Sequence, residues 1–204
     1  MKAALKQHGF KLTVIVLLVA LALSMLSWLK QDRPPLPSIK QAPDFSLLDM
    51  DGQPVKLSDS HGKVRLISFM FTSCPDICPM TTYNMVKLQN DLKQQGLWGD
   101  QVQFLSITFD PLTDTPEVFS KYGERMGVDP SGWTLLTGTE KETADVAKSF
   151  GVVVQKMPDG SFAHTVTSLF LVDTKGKIRK IYPMGEDMNH DELMKMIRLL
   201  AGSA

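Results

Sequence analysis

Eighteen residues from Leu12 to Leu29, LTVIVLLVALALSMLSWL, carry no charge. A helix rising about 1.5 Å per residue covers about 27 Å over that length, close to the hydrocarbon thickness of a bilayer. The run is therefore expected to be one transmembrane helix. Thr13, Ser24 and Ser27 can bond back to helix carbonyls, and Trp28 stands where an interfacial aromatic is expected. A cleaved signal peptide is the rival reading, but its apolar core is usually about 7–15 residues long. No clear small-x-small cleavage site follows Trp28, and no cysteine follows the run to carry a lipid. Lys2, Lys6 and Lys11 set the positive side. The expected order is a short cytoplasmic tail over 1–11, an anchor over 12–29, and everything beyond on the far side. In a bacterium that side is the oxidising periplasm. The tail lacks the Arg- and Ser-rich character of a mitochondrial presequence, so a bacterial inner membrane is expected.

Charge is balanced over the 204 residues, with 22 Lys+Arg against 22 Asp+Glu, but it is unevenly spread. Residues 1–33 hold five basic and one acidic side chain, which leaves 17 and 21 for the rest, a net of −4. A mildly acidic body does not suit nucleic acid, whose binding relies on Lys and Arg neutralising phosphates. With 43% hydrophobic and 22% charged residues the body reads as globular. The segment 30–41, with Pro34, Pro35 and Pro37, cannot continue a helix and reads as an extended linker. One domain is expected over 42–204.

Within that domain, Phe45–Leu48 and Pro54–Leu57 flank Asp51-Gly52 as a hairpin. Val64–Phe71 (VRLISFMF) reads as a buried central strand, and Pro79–Gly96 as a helix with Met80, Tyr83, Val86, Leu88 and Leu92 at helical spacing. Val102–Phe109 is the next strand. Asp114-Thr115-Pro116-Glu117 opens a helix towards Gly127, with Asp114 as its N-cap. Trp133–Leu136, Glu140–Phe150 and Gly151–Gln155 read as strand, helix and strand. Val166–Val172 and Lys177–Tyr182 form a late hairpin, and Asn189 caps a last helix over 190–201. The expected fold is α/β, a mixed central β-sheet flanked by helices.

The chain's two cysteines stand in Thr72-Ser73-Cys74-Pro75-Asp76-Ile77-Cys78-Pro79, between the central strand and the first long helix. Amides and the dipole at a helix N-terminus stabilise a thiolate, the nucleophilic and metal-ligating form of cysteine. Four positions apart, both thiols would share one face of a helical turn. They can close one disulfide, grip one metal ion, or sit as inert buried thiols. Two thiolates leave most metals under-coordinated, so a third ligand is needed. Among the histidines, His8 falls on the wrong side of the membrane, and His61 and His190 read as surface residues. His164 follows the turn Pro158-Asp159-Gly160 and enters a strand, either as an ordinary histidine or as a ligand. Two thiolates and an imidazole suit copper best and zinc next; structural zinc wants four protein ligands. The methionines beyond residue 25 are scattered and read as core fillers. Asp110, at the carboxyl end of its strand, either serves a turn or approaches the Cys loop as a supporting acid.

The segments Thr72–Pro79, Asp110-Pro111-Leu112-Thr113-Asp114-Thr115-Pro116 and His164-Thr165, in that order behind one membrane anchor, resemble the Sco/SenC family. The similarity runs over about residues 40–202. It implies a thioredoxin-like fold, copper bound as Cu(I), Cu(II) or both by Cys74, Cys78 and His164, and Asp110 in the place of the family's first acid. It also implies a role in assembling the dinuclear copper site of cytochrome c oxidase. Many members carry Asp before the ligand His, where this chain has Ala163.

The function expected from these features is a membrane-tethered copper chaperone, not an enzyme. Its partners would be the copper-accepting oxidase subunit and, further off, another copper chaperone and a thiol reductant. One alternative is a thiol–disulfide oxidoreductase using Cys74 and Cys78 as a redox pair on the acceptor's cysteines. A copper or redox sensor is another. A peroxidase would need a single activated cysteine, which a paired Cys74/Cys78 fits poorly.

Overall fold

The structure, a computed structural model, describes residues 13–22, 24–25, 37–157, 162–164 and 168–202. They fall into two units divided between Pro37 and Ser38. In the first, residues 13–22 and 24–25 are helical (α1). The remainder of the expected anchor, the tail expected over 1–11 and most of the expected linker lie outside the described residues. No helix among the described residues is long and apolar enough to cross a membrane.

The second unit is built on a six-stranded sheet in the order β1-β10-β9-β4-β5-β6. Its strands are β1 Lys40–Gln41, β4 Val64–Met70, β5 Val102–Thr108, β6 Trp133–Leu136, β9 Ser168–Val172 and β10 Lys177–Pro183. β4, β5 and β6 run parallel, whereas β9 and β10 join antiparallel. The sheet is thus mixed, as the sequence suggests. Every residue of β4 is buried, so a mainly apolar run broken only by Arg65 and Ser68, rather than an alternating one, marks the middle strand. Ser68 and Ser106 face each other across β4 and β5 at 2.7 Å. Trp133 Nε1–H donates to Ser106 Oγ at 2.9 Å, so these buried polar atoms satisfy one another inside the sheet.

Two small hairpins lie outside this sheet. One pairs β2 Ser46–Leu48 with β3 Pro54–Lys56, and the other pairs β7 Val154–Lys156 with β8 Phe162–His164. The turn expected at Pro158-Asp159-Gly160 lies outside the described residues. Four helices complete the unit: α2 Ile77–Gln94, α3 Pro116–Met126, α4 Glu140–Ser149 and α5 His190–Ala201. α2 packs against both α3 and α5. α4 begins with a capping box between Thr139 and Glu142, and Asn189 Oδ1 caps α5 by accepting from the Glu192 amide at 3.0 Å.

Three local expectations need correcting. α2 starts at Ile77, not Pro79, which places Cys78 in its first turn and leaves Cys74 in the preceding loop. The N-cap of α3 is Thr115, whose Oγ1 accepts from the Val118 amide, because the Asp114 side chain turns inward to other donors. His190 is half-buried, with Nε2 2.7 Å from Asp91 Oδ2, linking α5 to α2. His61 is exposed, as expected.

Candidate metal centre

β4 delivers the chain to Phe71, and α2 begins six residues later. The intervening loop carries Cys74. Both thiols are free and buried, and the Cys78 backbone N–H donates to Cys74 Sγ at 3.4 Å. One amide of the helix terminus therefore points at the sulfur of the other cysteine. An electron-rich thiolate at Cys74 would strengthen that bond. Burial pushes the Cys78 thiol up, and the neighbouring Cys74 and Asp114 add to it, against a backbone hydrogen bond from Phe71. The rings of Phe71 and Phe109, just beyond the adjacent ends of β4 and β5, lie 5.0 Å apart.

Behind Cys78, Thr82 Oγ1–H donates to the Cys78 carbonyl at 2.9 Å, so at the 2.9 Å contact with Tyr122 the phenol must be the donor. Burial pushes Tyr122 up to about 12, with the two cysteines adding to the shift. The loop after β10 braces the same helix. The Gly185 N–H donates to Thr81 Oγ1 at 2.8 Å, and Asn84 Nδ2 donates to the Gly185 carbonyl at 2.9 Å. Gly185 has φ +71°, and a Cβ there would lie 3.0 Å from Ile77 Cγ1. Gly185→Ala should therefore cost about 1–2 kcal/mol for the left-handed backbone alone, with Ile77 displaced in addition. Urea denaturation checks this, and an unchanged midpoint would show that the loop can refit.

Asp110 is buried at the end of β5, and its N–H donates to Thr108 Oγ1 at 3.0 Å. The fully buried Asp114 is nearer to the heart of the site. It accepts from the Thr72 N–H on both oxygens, at 3.2 and 3.1 Å, and from Thr108 Oγ1–H at 2.5 Å. The Thr72 hydroxyl bonds to it as well. Burial pushes its carboxyl up and Asp110 adds to that, while the threonine bonds oppose it.

The structure thus brings Cys74 and Cys78 together. It places the His164 backbone in β8, opposite Val154 of β7, but the His164 side chain lies outside the described residues. Among the described residues no three His, Cys, Asp or Glu side chains cluster to hold a metal ion. Sequence reasoning missed Thr72, Tyr122, Gly185 and the inward role of Asp114. A signal existed for the last: a hydroxyl residue at or just past the end of each of two parallel neighbouring strands, with an acid shortly after one of them.

A parallel-and-antiparallel sheet whose central strand runs into a paired-thiol loop and helix defines a thioredoxin-like domain with its dithiol at the strand-to-helix junction. The profile of the SCO1/SenC family matches residues 35–201, and the chain belongs to that family. It is 31% identical over 156 residues to the SCO1 protein homolog of Bacillus subtilis, covering 76% of this chain and 79% of that one. Among solved structures, a SCO1/SenC family lipoprotein from Bacillus anthracis superposes with a TM-score of 0.73 at 32% identity, covering 83% of this chain and 98% of its own. BsSco, a member of the Sco family of cytochrome c oxidase assembly proteins in which a disulfide switch has been identified, gives 0.72 at 28%, covering 85% and 100%. ScoI of Arabidopsis thaliana, solved with copper bound, gives 0.67 at 27%, covering 80% and 99%.

Proposed function

We propose that this chain holds one copper ion between Cys74, Cys78 and His164 and hands it to the dinuclear copper site of a cytochrome c oxidase subunit during assembly. The observation that carries the reading is the pair of free, buried thiols joined by the Cys78 N–H···Sγ contact. Thiolate sulfur is the ligand type that selects Cu(I). A third ligand from the β7–β8 hairpin would come from a separate element, so the site closes only when two parts of the domain meet. Three-coordinate binding leaves one side of the ion open. An incoming acceptor thiolate can then bond to copper as one donor thiolate leaves, with no change of oxidation state.

The apolar run at 12–29 serves, in this reading, as the anchor of a single-pass inner-membrane protein with its domain in the periplasm. Confinement to the acceptor's own membrane raises the effective concentration of donor near acceptor. The copper-accepting subunit is the partner in this account. Asp110 is assigned a supporting part through its contact with Thr108, not a ligand's part.

Reduced protein titrated anaerobically with Cu(I) against a competing chelator should take up one tight ion per chain. His164→Ala should weaken that binding by at least the roughly 10–100-fold that loss of even a supporting metal-site partner costs. Binding indifferent to His164, alongside ready dithiol exchange with the acceptor's cysteines, would instead make the protein a thiol–disulfide reductase.

A further inference from the structure

We propose that Asp114 is the positioning residue of the dithiol loop, its carboxylate fixing the backbone that carries Cys74 onto the end of strand β5. The inference deepens the copper-site reading and rests on it only for its copper arm.

The geometry is specific. A carboxylate with no exposed surface receives the Thr72 amide on both oxygens, the Thr72 hydroxyl, and the Thr108 hydroxyl at 2.5 Å. Thr72 is the second residue before Cys74, and Thr108 is the last residue of β5. One side chain therefore ties the start of the Cys loop to the neighbouring strand. Asp114 is itself held by its own N–H, which donates to the Asp110 carbonyl at 2.8 Å. Thr108 Oγ1 accepts from the Asp110 N–H at 3.0 Å, so its hydroxyl proton is directed towards Asp114. The whole ring of donors closes on one acceptor.

A helix cap does not account for this arrangement, because Thr115 caps α3. Nor does an ion pair: the donors to the Asp114 carboxylate are neutral, the Thr72 amide and hydroxyl and the Thr108 hydroxyl. A buried carboxylate without a cation is costly unless its lone pairs are filled. Here they are filled by Thr72 of the Cys loop and Thr108 of β5, so the need to satisfy the buried carboxylate holds that loop against the strand. An amide at this position would present a donor to at least one of the hydroxyls and lose part of the set.

The test uses the full chain in detergent, with Asp114→Asn, Asp114→Ala, Thr72→Val and the rescue variant Thr72→Ser. Cys74 is 8% exposed, so its alkylation by iodoacetamide reports the loop directly. Asp114→Ala should alkylate at least about tenfold faster than wild type. Its Cu(I) affinity should fall by about 10–100-fold, the range seen when partners of metal ligands are lost. Thr72→Val should shift both readouts in the same direction by less, and Thr72→Ser should restore them. A merely structural role would lower the denaturation midpoint without making Thr72→Ser rescue the alkylation rate. If Asp114→Ala fails to fold, Thr72→Val decides, and wild-type alkylation in that variant overturns the proposal. If wild type itself binds no copper, the copper-site reading fails while the alkylation arm still judges Asp114. Wild-type alkylation and affinity in folded Asp114→Ala would overturn the positioning role and leave the copper site standing.

Discussion

Cys78→Ser should abolish tight copper binding, with a loss of affinity well beyond the roughly 10–100-fold attached to supporting residues. The substitution exchanges a soft sulfur for a hard, weakly acidic oxygen at nearly constant volume, and Cu(I) discriminates strongly between the two. Cys78 is 2% exposed in the first turn of α2, where no water-borne ligand can take its place without moving the helix. Cys74→Ser should do the same. The double variant should be scarcely worse than either, because two ligands of one ion act as a unit and their losses do not add. The fold should survive both changes, since a helix start offers backbone N–H groups that a serine hydroxyl can accept from, as Cys74 Sγ accepts from the residue 78 amide; far-UV circular dichroism checks this. Anaerobic competition with a Cu(I) chelator supplies the affinities. Retention within threefold of wild type in either single variant would remove the dithiol from the metal site.

What the chain reveals before folding depends on range. β4 is legible because five of its seven consecutive residues, VRLISFM, are large apolar side chains, and even Arg65 and Ser68 are buried, so no exposed face interrupts the run. α3 is legible at both ends, through Pro116 at its start and Gly127 with φ +83° at its stop. The Cys loop is legible as a motif, since its two thiols lie four positions apart in one short segment. What a linear reading cannot supply is the set of contacts that cross between elements. Thr72 and Asp114 are 42 residues apart, and Asn84 and Gly185 are 101 apart. Asp114 shows the difficulty most plainly. Locally it has every attribute of an N-cap, and only the arrival of Thr72, in the loop that follows the adjacent parallel strand, together with Thr108 gives its carboxylate better donors. The start of α2 is misplaced for a related reason. Pro79 suits a first turn, but Cys74 Sγ accepts the Cys78 amide and lets the helix begin earlier.

Phe150→Ala should destabilise the domain by about 3–5 kcal/mol, the range for truncating a buried aromatic and leaving a cavity. Phe150 ends α4 and is 4% exposed, with its ring 5.3 Å from Phe170 of β9, 5.5 Å from Phe69 of β4 and 6.4 Å from Phe45 beside β2. Phe69 and Phe170 also meet edge to face at 6.0 Å. Four rings from four places in the sequence thus share one centre, and Phe150 is the member that touches the other three. Its removal strips contacts from two adjacent strands and from the hairpin before them, so neighbours cannot collapse into the space without moving the sheet. For a domain of this size the melting midpoint should fall by about 6–20 °C, taking roughly 2–4 °C per kcal/mol. Phe150→Leu, which keeps much of the volume, should recover most of that. Copper affinity measured well below the lowered midpoint should stay at the wild-type level, because none of the four rings belongs to the loop or helix that carries Cys74 and Cys78. A drop of less than about 1 kcal/mol would show that α4 is not locked to the sheet through this ring. A parallel loss of copper affinity would show instead that the aromatic cluster sets the pitch of β4 at the point where it delivers the Cys loop.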